Sequence, residues 1–103
     1  MVKIMEINEY IKKCYETAKS HGFWDDERND GEAIALMISE LSEALEAMRK
    51  DNWFGKDGVA EELADCLIRI FDFCGGRKIN LEKALQKKME YNKSRPYKHG
   101  KGF

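Results

Sequence analysis

Acidic residues occur as two pairs with the same spacing, on two apolar segments of the chain. Glu40 and Glu43 form one pair, and Glu62 and Asp65 form the other. Residues at i and i+3 are neighbours on a helix, so each pair would direct two carboxylates to one place. Glu40 lies inside the apolar arc of its helix rather than opposite it. A carboxylate facing a core is costly unless it is paired, protonated or bound to a metal ion.

Packing of these two helices against each other would gather four carboxylates in a small volume. The carboxylates would repel one another, and a hard divalent cation with oxygen ligands would remove that repulsion. Neither His nor Cys occurs at metal-ligand spacing, which disfavours zinc, and the absence of an EF-hand loop disfavours a Ca²⁺ buffer. We therefore expect Mg²⁺, replaceable by Mn²⁺, as the cofactor. The alternative is an acidic edge that is simply solvated.

A basic surface follows near the end of the chain. Lys88, Asn92 and Arg95 recur at i, i+4 and i+7 and so share one helix face, with Lys93 beside them. A basic face opposite a metal–carboxylate cluster suits a polyphosphate ligand. In isolation the same residues would indicate a solvated helix end that is favoured by the helix dipole.

Aromatic residues in the loops are candidates for holding a nucleotide base. Trp24, with His21 nearby, precedes the second predicted helix, and Trp53 lies in the next loop. A base stacked on an aromatic ring gains about 1–3 kcal/mol. We interpret Phe23 and Phe54 as ordinary packing residues. Stacking alone does not identify the base.

Four helices must position these residues. The chain has one proline, Pro96, and the residues before it are rich in helix formers. Asn29 and Asn80 are predicted N-caps, and Gly75-Gly76 is predicted to end the third helix in a left-handed turn. The predicted helices span about 7–20, 30–50, 58–74 and 81–94.

Length and composition indicate one globular all-α domain over residues 1–103. Hydrophobic residues make up 43% and charged residues 36%, and the longest apolar run, 33–38, is too short to cross a membrane. A net charge of −1 argues against a nucleic acid polymer as partner. Three cysteines without CxxC spacing predict reduced thiols and a cytoplasmic location. The third helix is apolar over so wide an arc that we expect a homo-oligomer, a dimer or a tetramer.

Three segments carry a family resemblance. ISELSEALEA (38–47), EELADCLIRIFD (61–72) and KMEYNKSRPYKHGK (88–101) resemble the MazG-like nucleotide pyrophosphohydrolases of the all-α NTP pyrophosphatase superfamily. The resemblance implies a four-helix MazG-like fold whose helices pack into an oligomeric bundle. It also implies Mg²⁺-dependent hydrolysis of ribo- or deoxynucleoside triphosphates to the monophosphate and pyrophosphate, as house-cleaning of the nucleotide pool.

The resemblance also implies roles for individual residues. The metal ligands would be Glu40, Glu43, Glu62 and Asp65, and the phosphate contacts would be Lys88, Asn92 and Arg95, with Lys93 as a further candidate. Glu43, at the edge of its arc, is the candidate base that takes a proton from the attacking water. Lys88 and Arg95 would stabilise the departing pyrophosphate.

Two other functions remain open at this point. Phosphoribosyl-ATP pyrophosphohydrolase activity would use the same acids with a different base pocket. A non-catalytic helical oligomerisation module would instead use the acids in ion pairs with Lys88 and Arg95 between subunits.

Overall fold

The computed structural model describes residues 6–97, and within that range it contains four helices and no strand. This confirms the predicted all-helical architecture. The basic tail residues Lys98, His99 and Lys101 lie outside the described residues. The helices are α1 (Ile7–Ser20), α2 (Asp30–Arg49), α3 (Val59–Arg77) and α4 (Leu81–Lys93).

Two asparagines cap helices as predicted. Asn29 Oδ1 accepts a hydrogen bond from the Glu32 backbone N–H at 2.9 Å, which begins α2. Asn80 Oδ1 accepts from the Lys83 N–H at 3.1 Å, which begins α4. Each cap satisfies an N–H group that would otherwise lack a partner in the first helical turn.

The predicted end of the third helix is wrong. α3 continues through Gly75 and Gly76, and the left-handed residue that ends it is Lys78, with φ 57°. A Cβ added at Gly75 would collide with Tyr15, and one at Gly76 would collide with the Trp24 ring. The two glycines therefore allow close approach of α1 and the following loop to α3, which is a packing role rather than a stop signal.

α2 and α3 pack against each other as an antiparallel pair. Arg77 near the end of α3 bonds Asp30 at the start of α2, and Cys66 Sγ donates to the Met37 carbonyl further along both helices. This arrangement sets Glu40 of α2 across from the first turns of α3. The acidic pairs therefore meet because the helix pairing brings their turns into register.

A small core joins α1 to α3. Ile11, Phe71 and Cys74 are buried together. α4 packs lightly on α1, with Asn8 Nδ2 donating to Glu82 Oε2 at 3.0 Å, and no residue of α4 is buried. Cys14, Cys66 and Cys74 are free thiols, as expected. No helix between residues 6 and 97 is long and apolar enough to cross a membrane.

α2 buries its small side chains and exposes its large ones. The buried residues of α2 are Glu40 and three alanines, Ala33, Ala44 and Ala47. Five of its large apolar residues remain 43–58% exposed, namely Ile34, Ile38, Leu41, Leu45 and Met48, while Leu36 and Met37 are half-buried. α3 likewise leaves Leu63, Leu67 and Ile68 about half exposed. A single chain thus covers little of the apolar surface of these two helices.

Candidate functional site

Three of the four predicted metal ligands converge where α2 meets α3. Glu40, Glu62 and Asp65 each offer an oxygen, and these oxygens all lie within 4.8 Å of one another. Glu62 and Asp65 lie three residues apart on α3, and Glu40 lies on α2, which packs antiparallel to α3. We call these three residues the acidic triad.

Glu62 is the most constrained member of the acidic triad. Its side chain is buried, and its Oε2 has no hydrogen-bond partner in the described part of the chain. The pKa of Glu62 is raised from 4.5 to about 7, first by hydrogen bonding of the protonated form to Glu43, then by burial and by Glu40. A buried oxygen without a donor is costly, so this position favours a bound proton or a bound cation.

The other two acids occupy different environments. Asp65 is exposed as a residue. Partial desolvation of its carboxylate, followed by the charges of Glu40 and Glu61, nevertheless raises its pKa, and the charge of Arg69 lowers it. Glu43 is exposed and lies beside Glu62 rather than in the triad. The fourth predicted ligand therefore borders the site from the solvent side.

Arg69 is the basic side chain placed directly on the acidic triad. Its Nε donates to Glu40 Oε1 at 3.0 Å. Arg69 follows Asp65 by four residues on α3, so both point to the same helix face. The second oxygen of Glu40 and the carboxylate of Glu62 receive no such bond from Arg69.

The carboxylates separate two cavities. The larger has a volume of about 530 Å³, and Glu40 and Asp65 belong to its wall. The same wall carries basic and aromatic residues: Lys13, Arg28, Arg69, His21 and Phe23. The smaller cavity, of about 380 Å³, is bordered by Glu43 and Glu62 together with Asn52 and Lys50. The wall of the larger cavity thus combines three basic side chains with two members of the acidic triad.

Trp24 has a packing role in the structure. Its Nε1 donates to Asp72 at 2.7 Å, its ring lies against Gly76, and the Arg28 guanidinium lies 4.6 Å from the ring centroid. Trp24 borders neither cavity, whereas Phe23 is 65% exposed and lines the larger one. The aromatic ring available to a base is therefore that of Phe23, which the sequence led us to interpret as a packing residue.

The other two predicted base contacts differ in location. His21 lines the larger cavity, with its Nδ1 bonded to the Thr17 carbonyl at 2.8 Å. Trp53 is 44% exposed and borders neither cavity. Its neighbour Asn52 borders the smaller cavity and also orders the loop, since its side chain donates to the Lys56 carbonyl.

The basic face predicted from Lys88, Asn92 and Arg95 is not brought to the acidic triad within one chain, and Arg95 lies beyond the end of α4 at Lys93. Lys88, Asn92 and Arg95 border neither cavity. Lys88 Nζ and Arg95 Cζ instead lie 5.0 and 5.7 Å from the Tyr91 ring centroid. Lys93 forms a surface ion pair with Glu90 at 3.8 Å.

Three cations of the larger cavity were not identified from the sequence. Arg69 carried a usable signal, because it shares the polar strip of α3 with Glu62 and Asp65. Lys13 and Arg28 carried none, because their place at the cavity depends on how α1 and the first loop pack on α3. Arg28 is fixed there by Asp72, whose Oδ2 accepts from Arg28 Nη1 at 2.7 Å.

Comparison of the chain with protein-family models, with curated proteins and with solved structures found no match.

Proposed function

We propose that this protein is a Mg²⁺-dependent nucleotide pyrophosphohydrolase of the MazG-like type. It would convert ribo- or deoxynucleoside triphosphates to the monophosphate and pyrophosphate. The observation that carries the proposal is the acidic triad, with its buried, unpartnered Glu62 oxygen and with Glu40 and Asp65 on the wall of a cavity that three basic side chains also line.

The residues present fit a hard divalent cation. Glu40, Glu62 and Asp65 supply three carboxylate oxygens, which is the donor type that Mg²⁺ and Mn²⁺ prefer. The orphaned Glu62 oxygen gives a reason for a cation rather than a solvated acidic edge, because solvent does not reach it. When bound, Mg²⁺ would neutralise phosphate charge and lower the pKa of a bound water.

The chain itself would bind and orient the substrate in the larger cavity. Lys13, Arg28 and Arg69 offer donors to phosphate oxygens, and guanidinium groups bind such oxygens in pairs. Phe23 offers a ring face to the base. Glu43 is exposed beside Glu62, where it can take a proton from the attacking water.

In an oligomer, a second chain would supply the basic residues of α4. Lys88, Asn92, Lys93 and Arg95 border neither cavity of their own chain. α4 is nevertheless exposed, and the apolar faces of α2 and α3 offer a surface for another copy. This assembly would let Lys88 and Arg95 contact the departing pyrophosphate as the resemblance implies.

Phosphoribosyl-ATP hydrolysis remains the nearest alternative activity, because it would use the same acids. A non-catalytic oligomerisation module is supported by the exposed apolar faces alone. That module would have to pair Glu62 with Lys88 or Arg95 of a second chain, whereas the convergence of three carboxylate oxygens within one chain favours a cation.

Release of pyrophosphate tests the proposal. A panel of ribo- and deoxynucleoside triphosphates is incubated with the protein and Mg²⁺, and pyrophosphate is measured. We expect release with the wild type, at least 100-fold less with Glu62→Gln or Asp65→Asn, and wild-type rates with the control Glu90→Gln on exposed α4. Absence of release from every nucleotide, together with a melting temperature that Mg²⁺ does not change, would overturn the proposal.

A further inference from the structure

Arg69 contacts the acidic triad through Glu40. Its Nε bonds Glu40 Oε1 at 3.0 Å, and Glu40 is one of the three residues whose oxygens converge. In the protein without a metal ion, this guanidinium is the positive charge that offsets part of the cluster. A divalent cation that bound both oxygens of Glu40 would therefore compete with Arg69 for this carboxylate.

The surroundings of Arg69 allow it to leave Glu40 without disturbing the fold. Its side chain is 37% exposed and lines the larger cavity, so the guanidinium can move into the cavity from a fixed position on α3. Arg28 differs in this respect, because its side chain is 17% exposed and held by Asp72 at 2.7 Å next to the Trp24 ring. Of these two arginines in the cavity, Arg69 is the exchangeable one.

We propose that Arg69 is an exchangeable counter-ion that holds Glu40 in the metal-free protein and binds a phosphate oxygen of the ligand once a divalent cation holds Glu40. This inference rests on the proposed function and names how the metal and the anionic ligand are coupled. A guanidinium released into the cavity has lost its carboxylate partner, and a phosphate supplies two acceptors in a suitable geometry. Metal and phosphate binding should therefore favour each other.

The test measures metal and anion binding separately on the full chain, without turnover. Mn²⁺ binding is measured by electron paramagnetic resonance of the free ion. Binding of the Mg²⁺–tripolyphosphate complex is measured by calorimetry in excess Mg²⁺. The variants are Arg69→Gln and the control Arg49→Gln, which removes an equal charge from exposed α2, where Arg49 pairs only weakly with Glu46 at 3.8 Å.

The expected result is a pair of opposite changes in Arg69→Gln. Mn²⁺ should bind about fivefold tighter, because no ion pair has to be broken first. Tripolyphosphate should bind about tenfold weaker, because a charge-assisted contact is lost. Arg49→Gln should match the wild type in both measurements.

The contradictory outcomes separate the two proposals. No Mn²⁺ binding to the wild type would overturn the proposed function itself. Wild-type Mn²⁺ binding with equal or weaker binding to Arg69→Gln would overturn only the exchange, as would unchanged tripolyphosphate binding. Equal effects of Arg49→Gln and Arg69→Gln would also overturn it, since net charge would then explain the result.

Discussion

Glu62 has two neighbours of its own charge and no donor for one of its oxygens. Buried polar atoms nearly always have a partner, so such an atom indicates a missing ligand or a bound proton. Both outcomes have the same physical origin, because a proton and a divalent cation relieve the same repulsion. They therefore compete, and pH decides between them when metal is scarce.

The pH dependence of stability tests this competition in the metal-free protein. The pKa of Glu62 is raised to about 7 in the folded chain, against 4.5 for an unperturbed glutamate. Between pH 4.5 and about 7, Glu62 is therefore more fully protonated in the folded state than in the unfolded state. Ionisation destabilises the fold, so the melting temperature should fall as pH rises from about 5 to 8. Metal binding should strengthen over the same range.

Glu62→Gln provides the comparison for that pH profile. The amide keeps the shape, carries no charge and can donate to Glu43, so the fall in melting temperature between pH 5 and 8 should become shallower. Glu90→Gln, on the exposed surface of α4, should keep the wild-type profile. A wild-type melting temperature that stays level or rises over this range, measured by circular dichroism with a chelator present, would contradict the assignment.

Residues of the site were predictable from the sequence where a single helix carries the signal. Glu40 stood out because a charge inside an apolar arc is costly, whereas Glu62 was found because it repeats the acidic i, i+3 spacing on the polar strip of α3. Phe23 and Trp24 were not distinguishable in this way. They are adjacent in a loop, and only its path over Gly76 decides that the tryptophan packs while the phenylalanine faces the cavity.

At the scale of the helices, capping residues predicted the starts of α2 and α4 correctly, because a cap is a local interaction between a side chain and the next backbone turn. The end of α3 was predicted wrongly, because a glycine pair serves equally as a stop signal or as a close-packing surface. Tyr15 and Trp24, which lie far away in sequence, decide that Gly75 and Gly76 are a packing surface.

Substitution of Gly76 tests the packing role. Alanine is the better helix former by about 1 kcal/mol, so Gly76→Ala would stabilise α3 if the glycine were only a weak helical residue. Because its Cβ would overlap the Trp24 ring, we expect instead a net loss of about 1–3 kcal/mol in the free energy of unfolding. Urea denaturation followed by circular dichroism measures the change.

Gly31 offers the matched control for that experiment. It lies in the first turn of α2, and a Cβ there would meet only the capping Asn29 side chain, whose Oδ1 at 3.3 Å would have to shift by a few tenths of an ångström. Gly31→Ala should therefore be close to neutral or stabilising. Equal effects at the two positions would show that Trp24 does not pack against Gly76 as described.

The whole molecule is more open than its length predicts. Its radius of gyration is 16.1 Å, whereas a compact domain of about 100 residues has a value of about 13 Å. The difference agrees with the light packing of α4 and with the large apolar residues exposed on α2 and α3. The wide apolar arc of α3 was readable from the sequence. The burial of alanines as the only buried apolar residues of α2 was not, because the sequence does not specify which side of the arc meets α3.

The exposed apolar face of α2 should be the contact surface of a homo-oligomer. Ile38 is 58% exposed and Leu45 is 47% exposed, and the two residues lie seven positions apart and hence on one side of the helix.

In an assembly both side chains would be buried. The double variant Ile38→Glu, Leu45→Glu should therefore sediment as a 12.0 kDa monomer, while the wild type sediments as a multiple of that mass. Helicity should persist, because neither side chain is buried within its own chain. Lys12→Glu, which introduces a carboxylate at an exposed position of α1, should leave the assembly intact. A wild type that sediments as a monomer, or a double variant that sediments like the wild type, would contradict the prediction and leave the basic residues of α4 without a route to the acidic triad of a neighbouring chain.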